Sequence, residues 1–171
     1  CAILLQIAEV LHEHPAVPTV ELVFFGAEER IDDNADHHHF GSRDRVKRMS
    51  AEERARVAGM ISVDMIGFGS ELNSLTMGVG PQGLSESLQA YAKSDGITVK
   101  YRKDKAKTGS SDHEPYELAG IPAACLSARP DPTYHTEADV AAHVSSAKVA
   151  TAGRVVLGYV WSLDSGSLKA I

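Results

Sequence analysis

Seven residues carry the chemistry this sequence offers: Glu28 and Glu29, Asp64, Asp112 and His113, and Tyr134 and His135. Each falls just after an apolar run or in a turn leading into a helix. The glutamates close Phe24-Phe25-Gly26-Ala27-Glu28-Glu29-Arg30, where residues 19–25 read as a buried strand. Open α/β sheets bind their ligands beyond the carboxyl ends of the strands. Alone, a Glu-Glu pair reads as an acidic surface loop. Asp64 interrupts the apolar run Met60-Ile61-Ser62-Val63-Asp64-Met65-Ile66-Gly67, and a buried carboxylate is costly without a partner. A salt bridge or a helix cap would serve it as well as a metal ion. Four such spots at one sheet edge are not expected of independent surface accidents. Glu, Asp and His without cysteine form an oxygen-and-nitrogen donor set, which suits a catalytic zinc or a similar divalent ion better than a structural zinc.

The elements that must bring these residues together alternate. A helix opens the chain and runs to about His14, stopped by Pro15 and Pro18. After the 19–25 strand, residues 31–41 form a polar loop, and a helix begins near Ser42. Ser50 and Glu53 fit a capping box for a short helix reaching Ala58, with Gly59 as its stop. Strands over 60–67, 74–79, 97–101 and 121–126 are separated by helices over 81–94 and 113–119. A last helix spans 145–163. This is the pattern of an α/β domain.

Length and charge narrow the function classes. With 171 residues the chain can bury one core of ordinary size, so a single domain is expected over 1–171. A net charge of −6 argues against a nucleic-acid partner. The basic residues Arg43, Arg45, Lys47 and Arg48 then read as the solvated face of a helix, and the basic run 100–107 likewise. No apolar run approaches the ~20 residues of a membrane-spanning helix. Cys1 and Cys125 suggest no disulfide framework, and Cys125 reads as a small buried hydrophobe. The chain opens inside an amphipathic helix with no methionine, cap or polar leader, so it reads as a domain missing its N-terminal part. The compartment is therefore unknown.

The motifs FFGAEE, SVDMIG, SSDHEPYELAGIPA and YHTEAD, in this order and spacing, resemble the co-catalytic di-zinc aminopeptidases. That family includes bacterial leucine aminopeptidases and the peptidase-like domain of glutamate carboxypeptidase II. The resemblance extends over about residues 1–163. It implies a three-layer α/β/α sandwich with a central mixed, largely parallel sheet, and a peptide substrate cut at its N-terminus. It also implies roles: Glu28 as general base, Glu29 and His135 as ligands of one zinc, Asp64 as ligand of the other. Tyr134 matches a donor to the developing oxyanion, and Asp112 and His113 match residues that support the site. Zinc makes water acidic enough to supply hydroxide near neutral pH, and Glu28 would take that proton and pass it to the leaving amine. Members of the family are often secreted or extracytoplasmic.

Two departures accompany the match. The family's histidine of a His-x-Asp motif and its metal-bridging aspartate have no counterpart in these 171 residues, so zinc binding is expected to be weak or absent and the fragment inactive alone. The loop after Glu29 is also long, and it carries Asp32, Asp33, Asp36 and the run His37-His38-His39. Those histidines read as a solvated loop bonded to backbone or water; the sharper reading makes one of them a ligand or a pocket wall. Two other functions remain open, a peptidase-like binding module that has lost catalysis and a glutaminyl-cyclase-like acyltransferase on the same scaffold.

Overall fold

Apolar strands and amphipathic helices alternate in the computed structural model, which describes residues 1–34, 36–104, 108–169 and 171. In chain order they are α1 (Ala2–Glu13), α2 (Phe40–Arg48), α3 (Ala51–Arg56), β1 (Met60–Val63), β2 (Glu71–Thr76), α4 (Gly83–Ser94), β3 (Val99–Lys103), α5 (His113–Leu118), β4 (Ala123–Arg129) and α6 (Ser146–Ser162). The strands lie in the order β1-β4-β2-β3. β1 runs parallel to β4 and β2 parallel to β3, while β2 and β4 are antiparallel. The sheet is therefore mixed and largely parallel, as expected.

β4 explains the layering. Residues 123–128 are all buried, as in a strand covered on both faces. Its side chains alternate between faces. Ala124 and Leu126 pack with Ile7, Leu84, Leu88, Val155 and Tyr159 from α1, α4 and α6. Ala123 points the other way, into a smaller cluster with Val46, Met49, Tyr116 and Ile121 around α2 and α5. Helices on both faces of one sheet make the α/β/α sandwich. Cys125 is buried here, and burial pushes its thiol up, out of reach of reactive chemistry.

Local signals placed the helices well. Ser50 accepts from the Glu53 amide at 3.1 Å while Glu53 accepts from the Ser50 amide at 2.7 Å, completing the capping box. The Ser145 hydroxyl caps α6. No helix among the described residues is long and apolar enough to cross a membrane.

Three strand expectations need correction. Residues 19–25 run on without ladder hydrogen bonds and are not a strand among the described residues. Their contacts are side-chain ones, Glu21 to the Arg45 guanidinium at 2.7 and 2.8 Å and Phe25 to the Tyr116 ring, and a cavity of ≈760 Å³ lies between this segment and β1. An apolar run makes a strand only where a neighbour meets its backbone groups. The 60–67 strand stops at Val63, so Asp64 follows the strand instead of interrupting it, with its amide bonded to the Leu126 carbonyl at 3.1 Å. The 74–79 strand is shifted to Glu71–Thr76, because beyond Thr76 the buried Glu117 carboxylate takes the amides of Met77, Val79 and Gly80.

Candidate active site

The position of Glu28 is set by a backbone clip. The amides of His39, Phe40 and Gly41 donate to the carbonyls of Glu28, Ala27 and Gly26 at 2.8, 3.0 and 3.2 Å. These are amides at the start of α2 that have no partner within their own helix, so the Glu28 segment and the α2 N-terminus satisfy one another. The approach is close enough to demand glycine, since a Cβ at Gly41 would lie 2.6 Å from the Gly26 carbonyl oxygen. The long loop between Glu28 and His39 is thus closed at its base, and His39 is brought against Glu28.

The two adjacent glutamates point to different histidines. Glu28 Oε1 lies 3.0 Å from His39 Nε2, and Glu29 Oε2 lies 3.1 Å from His135 Nε2. Four non-glycine residues among those described have positive φ: Ala27 (54°), His39 (50°), Met65 (53°) and His135 (56°). Each is one of these histidines or the immediate neighbour of Glu28 or Asp64. Left-handed backbone costs an ordinary residue about 1–2 kcal/mol, and such strain gathers where geometry serves function. Ala27 lets the chain turn so that neighbouring carboxylates diverge.

Further carboxyls crowd the same place. Burial first, and the charge of Glu28 second, push the Asp64 carboxyl up, against the Ser111 hydroxyl and Arg129. Asp112 is also raised, chiefly by burial and then by Glu28 and Asp64, while its 2.5 Å hydrogen bond from Ser42 Oγ and the nearby His39 oppose the shift. Glu28 thus raises both buried acids and Asp64 adds to the shift at Asp112, a gathering of negative charge that a divalent cation would relieve. Tyr134 stacks on His135 with ring centroids 3.7 Å apart. Burial and then Glu29 raise its phenol, with Glu28 and Asp64 adding to the shift and Arg129 opposing it, so it remains a proton donor.

Of the seven residues singled out from sequence, Glu28, Glu29, Asp64, Asp112, Tyr134 and His135 are therefore brought together. His113 is not. It is fully buried, with Nε2 3.0 Å from Asp104 Oδ2 just beyond β3, where it braces the fold.

The histidine run needs a correction. His37 is half-buried and pairs with Asp32 at 2.7 Å, as a loop residue in contact with solvent would. His38 and His39 are buried, 5% and 2% exposed, with stacked rings 3.8 Å apart. Both meet Glu114, a fully buried residue of α5 that the sequence reading passed over. His38 Nε2 is 3.3 Å and His39 Nδ1 3.5 Å from Glu114 Oε2. Arg43 closes the group: its guanidinium contacts Glu114 Oε1, its Nε donates to the His38 carbonyl at 3.0 Å, and its Nη2 reaches His38 Nε2 at 2.9 Å. Arg43 is thus no solvated charge, although Lys47 and Arg48 are exposed as expected. In the other basic run, residues 100–103 are exposed on β3, and 105–107 lie outside the described residues.

Burial alone would lower the pKa of His39, but hydrogen bonds to Glu114 and Glu28 outweigh it and raise it to about 9. His38 moves the other way, lowered by burial and by the cations His39 and Arg43. The two rings of the stack are thus pushed in opposite directions, His39 toward its charged form and His38 toward its neutral one. The ligand atoms of His38, His39 and Glu114 lie within 4.8 Å of one another, so this group could bind a metal ion. The Arg43 guanidinium already supplies a cation there.

Comparison with known proteins agrees with this architecture. Aminopeptidase YwaD of Bacillus subtilis is 28% identical over 170 residues, matching 94% of this chain and 35% of its own length. The crystal structure of BSAP, a zinc aminopeptidase from Bacillus subtilis, superposes with a TM-score of 0.80 at 28% identity over 94% of this chain and 39% of that one. The chain thus spans little more than a third of these relatives. A glutaminyl cyclase from Tannerella forsythia shares the fold alone, with a TM-score of 0.76 at 19% identity over 95% of this chain and 61% of that one. Residues 1–160 match Peptidase family M28, and the chain belongs to that family.

Proposed function

We propose that this chain carries the general base and part of the metal centre of a zinc-dependent aminopeptidase, which hydrolyses the N-terminal residue from peptides. The observation that carries this reading is the divergence of Glu28 and Glu29, one onto the buried His39 and the other onto the open His135. A base and a metal ligand placed side by side need that divergence.

Glu29 and His135 would hold one zinc ion, and Asp64, pressed upward by burial and by Glu28, would contribute to a second. Bound zinc would polarise the scissile carbonyl and acidify water. The remaining steps fall to side chains. Glu28 Oε1 is taken by His39, so Oε2 is the oxygen that accepts a proton from the attacking water and returns it to the leaving amine. Tyr134, held protonated, donates to the oxyanion that develops on the carbonyl. The cluster of carboxylates suits a substrate's free α-ammonium group, which directs cleavage to an N-terminus.

Two ligands for one ion and one for another fall short of the four that zinc takes. The missing donors would come from outside these 171 residues, and the chain alone is expected to hold zinc weakly and to be inactive. The test is an assay of zinc-loaded full-length protein on free aminoacyl and N-blocked substrates. Hydrolysis restricted to free N-termini supports the proposal. Preference for blocked N-termini, or cyclisation of N-terminal glutamine, overturns it. Loaded protein that hydrolyses neither substrate class would mark a binding module.

A further inference from the structure

His39 faces a carboxylate from each ring nitrogen. Nε2 meets Glu28 Oε1 at 3.0 Å, and Nδ1 faces Glu114 Oε2 at 3.5 Å, where both of these buried atoms lack a hydrogen-bond partner among the described residues and have each other as charged neighbours. The ring cannot swing, because the His38 ring covers it and the backbone clip fixes its Cα beside Glu28. Glu114 in turn is held by Arg43, and Arg43 by the carbonyl and ring of His38.

A loop that only had to be closed could be closed by apolar side chains. Buried ion pairs are often no more stabilising than apolar residues of the same size. Here a carboxylate, two imidazoles and a guanidinium are interlocked, and His39 joins them to the Glu28 carboxylate, whose side chain is 29% exposed. We infer that His39 is a positioning residue for Glu28, locked from behind by Glu114 and Arg43, that pins Oε1 and leaves Oε2 as the one oxygen presented to the reaction. The inference rests on the reading of Glu28 as the base. It differs from a metal-binding role for the same cluster because the Arg43 guanidinium, 2.9 Å from His38 Nε2 and in contact with Glu114 Oε1, already supplies a cation to these groups.

The experiment uses full-length protein and three variants. His39→Leu should lower kcat by up to about 10²-fold, the scale of a misplaced reacting group, with KM and zinc content unchanged. His39→Gln keeps an N–H that reaches Glu28 and should recover most of the loss. Glu114→Gln should lower kcat as well. In ¹⁵N NMR spectra of the metal-free protein at pH 7.5, about a unit above the ordinary histidine value, His39 should be an imidazolium with both nitrogens protonated, and Glu114→Gln should shift it toward the neutral ring. Should His39→Leu fail to fold, Glu114→Gln and the NMR signal carry the same test.

Wild-type kcat in folded His39→Leu, in an enzyme that Glu28→Gln silences, would overturn the positioning role alone. Near-normal turnover in Glu28→Gln would instead overturn the base. One equivalent of zinc retained by a Glu29→Ala/His135→Ala variant and lost on adding His38→Ala would make the cluster a metal site, and would also overturn the inference.

Discussion

Glu28 and Glu29 are neighbours in sequence and each faces a histidine at close to 3 Å, yet the two pairs are built differently. The His39 side chain is 3% exposed, and behind it stand Glu114, Arg43 and His38. The His135 side chain is 54% exposed and its partner Glu29 70%, with the Tyr134 ring as the neighbour that stacks on it. The first pair is oriented by protein, and it would keep its geometry with or without an ion. The second is held by little besides its own charge. That is the arrangement expected of a base that must stay put and of ligands that a cation gathers.

The sharpest way to break this contrast is to remove the carboxylate proposed as the base. In zinc-loaded full-length protein, Glu28→Gln should lower kcat by about 10²–10⁴-fold, the usual worth of a positioned base, with zinc content unchanged by atomic absorption. Loss of zinc in parallel would make Glu28 a ligand like its neighbour, and the contrast would disappear.

Next in size is the wall behind His39. Glu114→Ala leaves His39 and Arg43 as buried or half-buried cations without their carboxylate. Breaking such a group from one side costs about 3–5 kcal/mol, read as a lower midpoint in urea unfolding. A loss below about 1 kcal/mol would show the wall to be loose, and the Glu28 pair no better supported than the Glu29 pair.

Much of this was legible in sequence, and what was missed has one physical origin. The capping box of α3, the burial of β4 and the order of elements follow from propensity and periodicity, which act over a few residues. Glu28, Glu29, Asp64 and His135 were singled out because each sits at the end of an apolar run or in a turn, and the fold places them near one another. His38 and His39 were misread as solvated because spacing does not aim a side chain. Their direction comes from the clip onto residues 26–28 and from Glu114, about 75 positions away. A signal was present: Glu114 lies in the first turn of a short helix whose residues 113–117 are all buried, and a buried carboxylate calls for cations elsewhere in the chain. Residues 19–25 were misread for the converse reason, since a strand is defined by its neighbour and no ladder reaches them.

A smaller effect tests the charge on His39. Its pKa lies at about 9 in the folded protein, above the ordinary 6.5. A folded value raised in this way contributes stability that is complete below pH 6.5 and is lost as the pH rises through 9. The thermal midpoint of the metal-free protein should therefore fall over that window, and His39→Gln should flatten the fall. A wild-type midpoint that rises over the same window would mean that His39 is neutral when folded.

The smallest effect belongs to the open pair. Exposed ion pairs contribute about 0–1 kcal/mol, so His135→Ala should leave the urea midpoint of metal-free protein almost unchanged. Zinc should separate the two proteins again. At a hundredfold excess over its dissociation constant, a ligand specific for the folded state adds about 2.7 kcal/mol, and full-length wild type should show a gain of this kind that His135→Ala lacks. If His135→Ala instead destabilised the metal-free protein as severely as Glu114→Ala, the open pair would be a brace of the fold. The difference between the two glutamates would then be one of exposure and not of purpose.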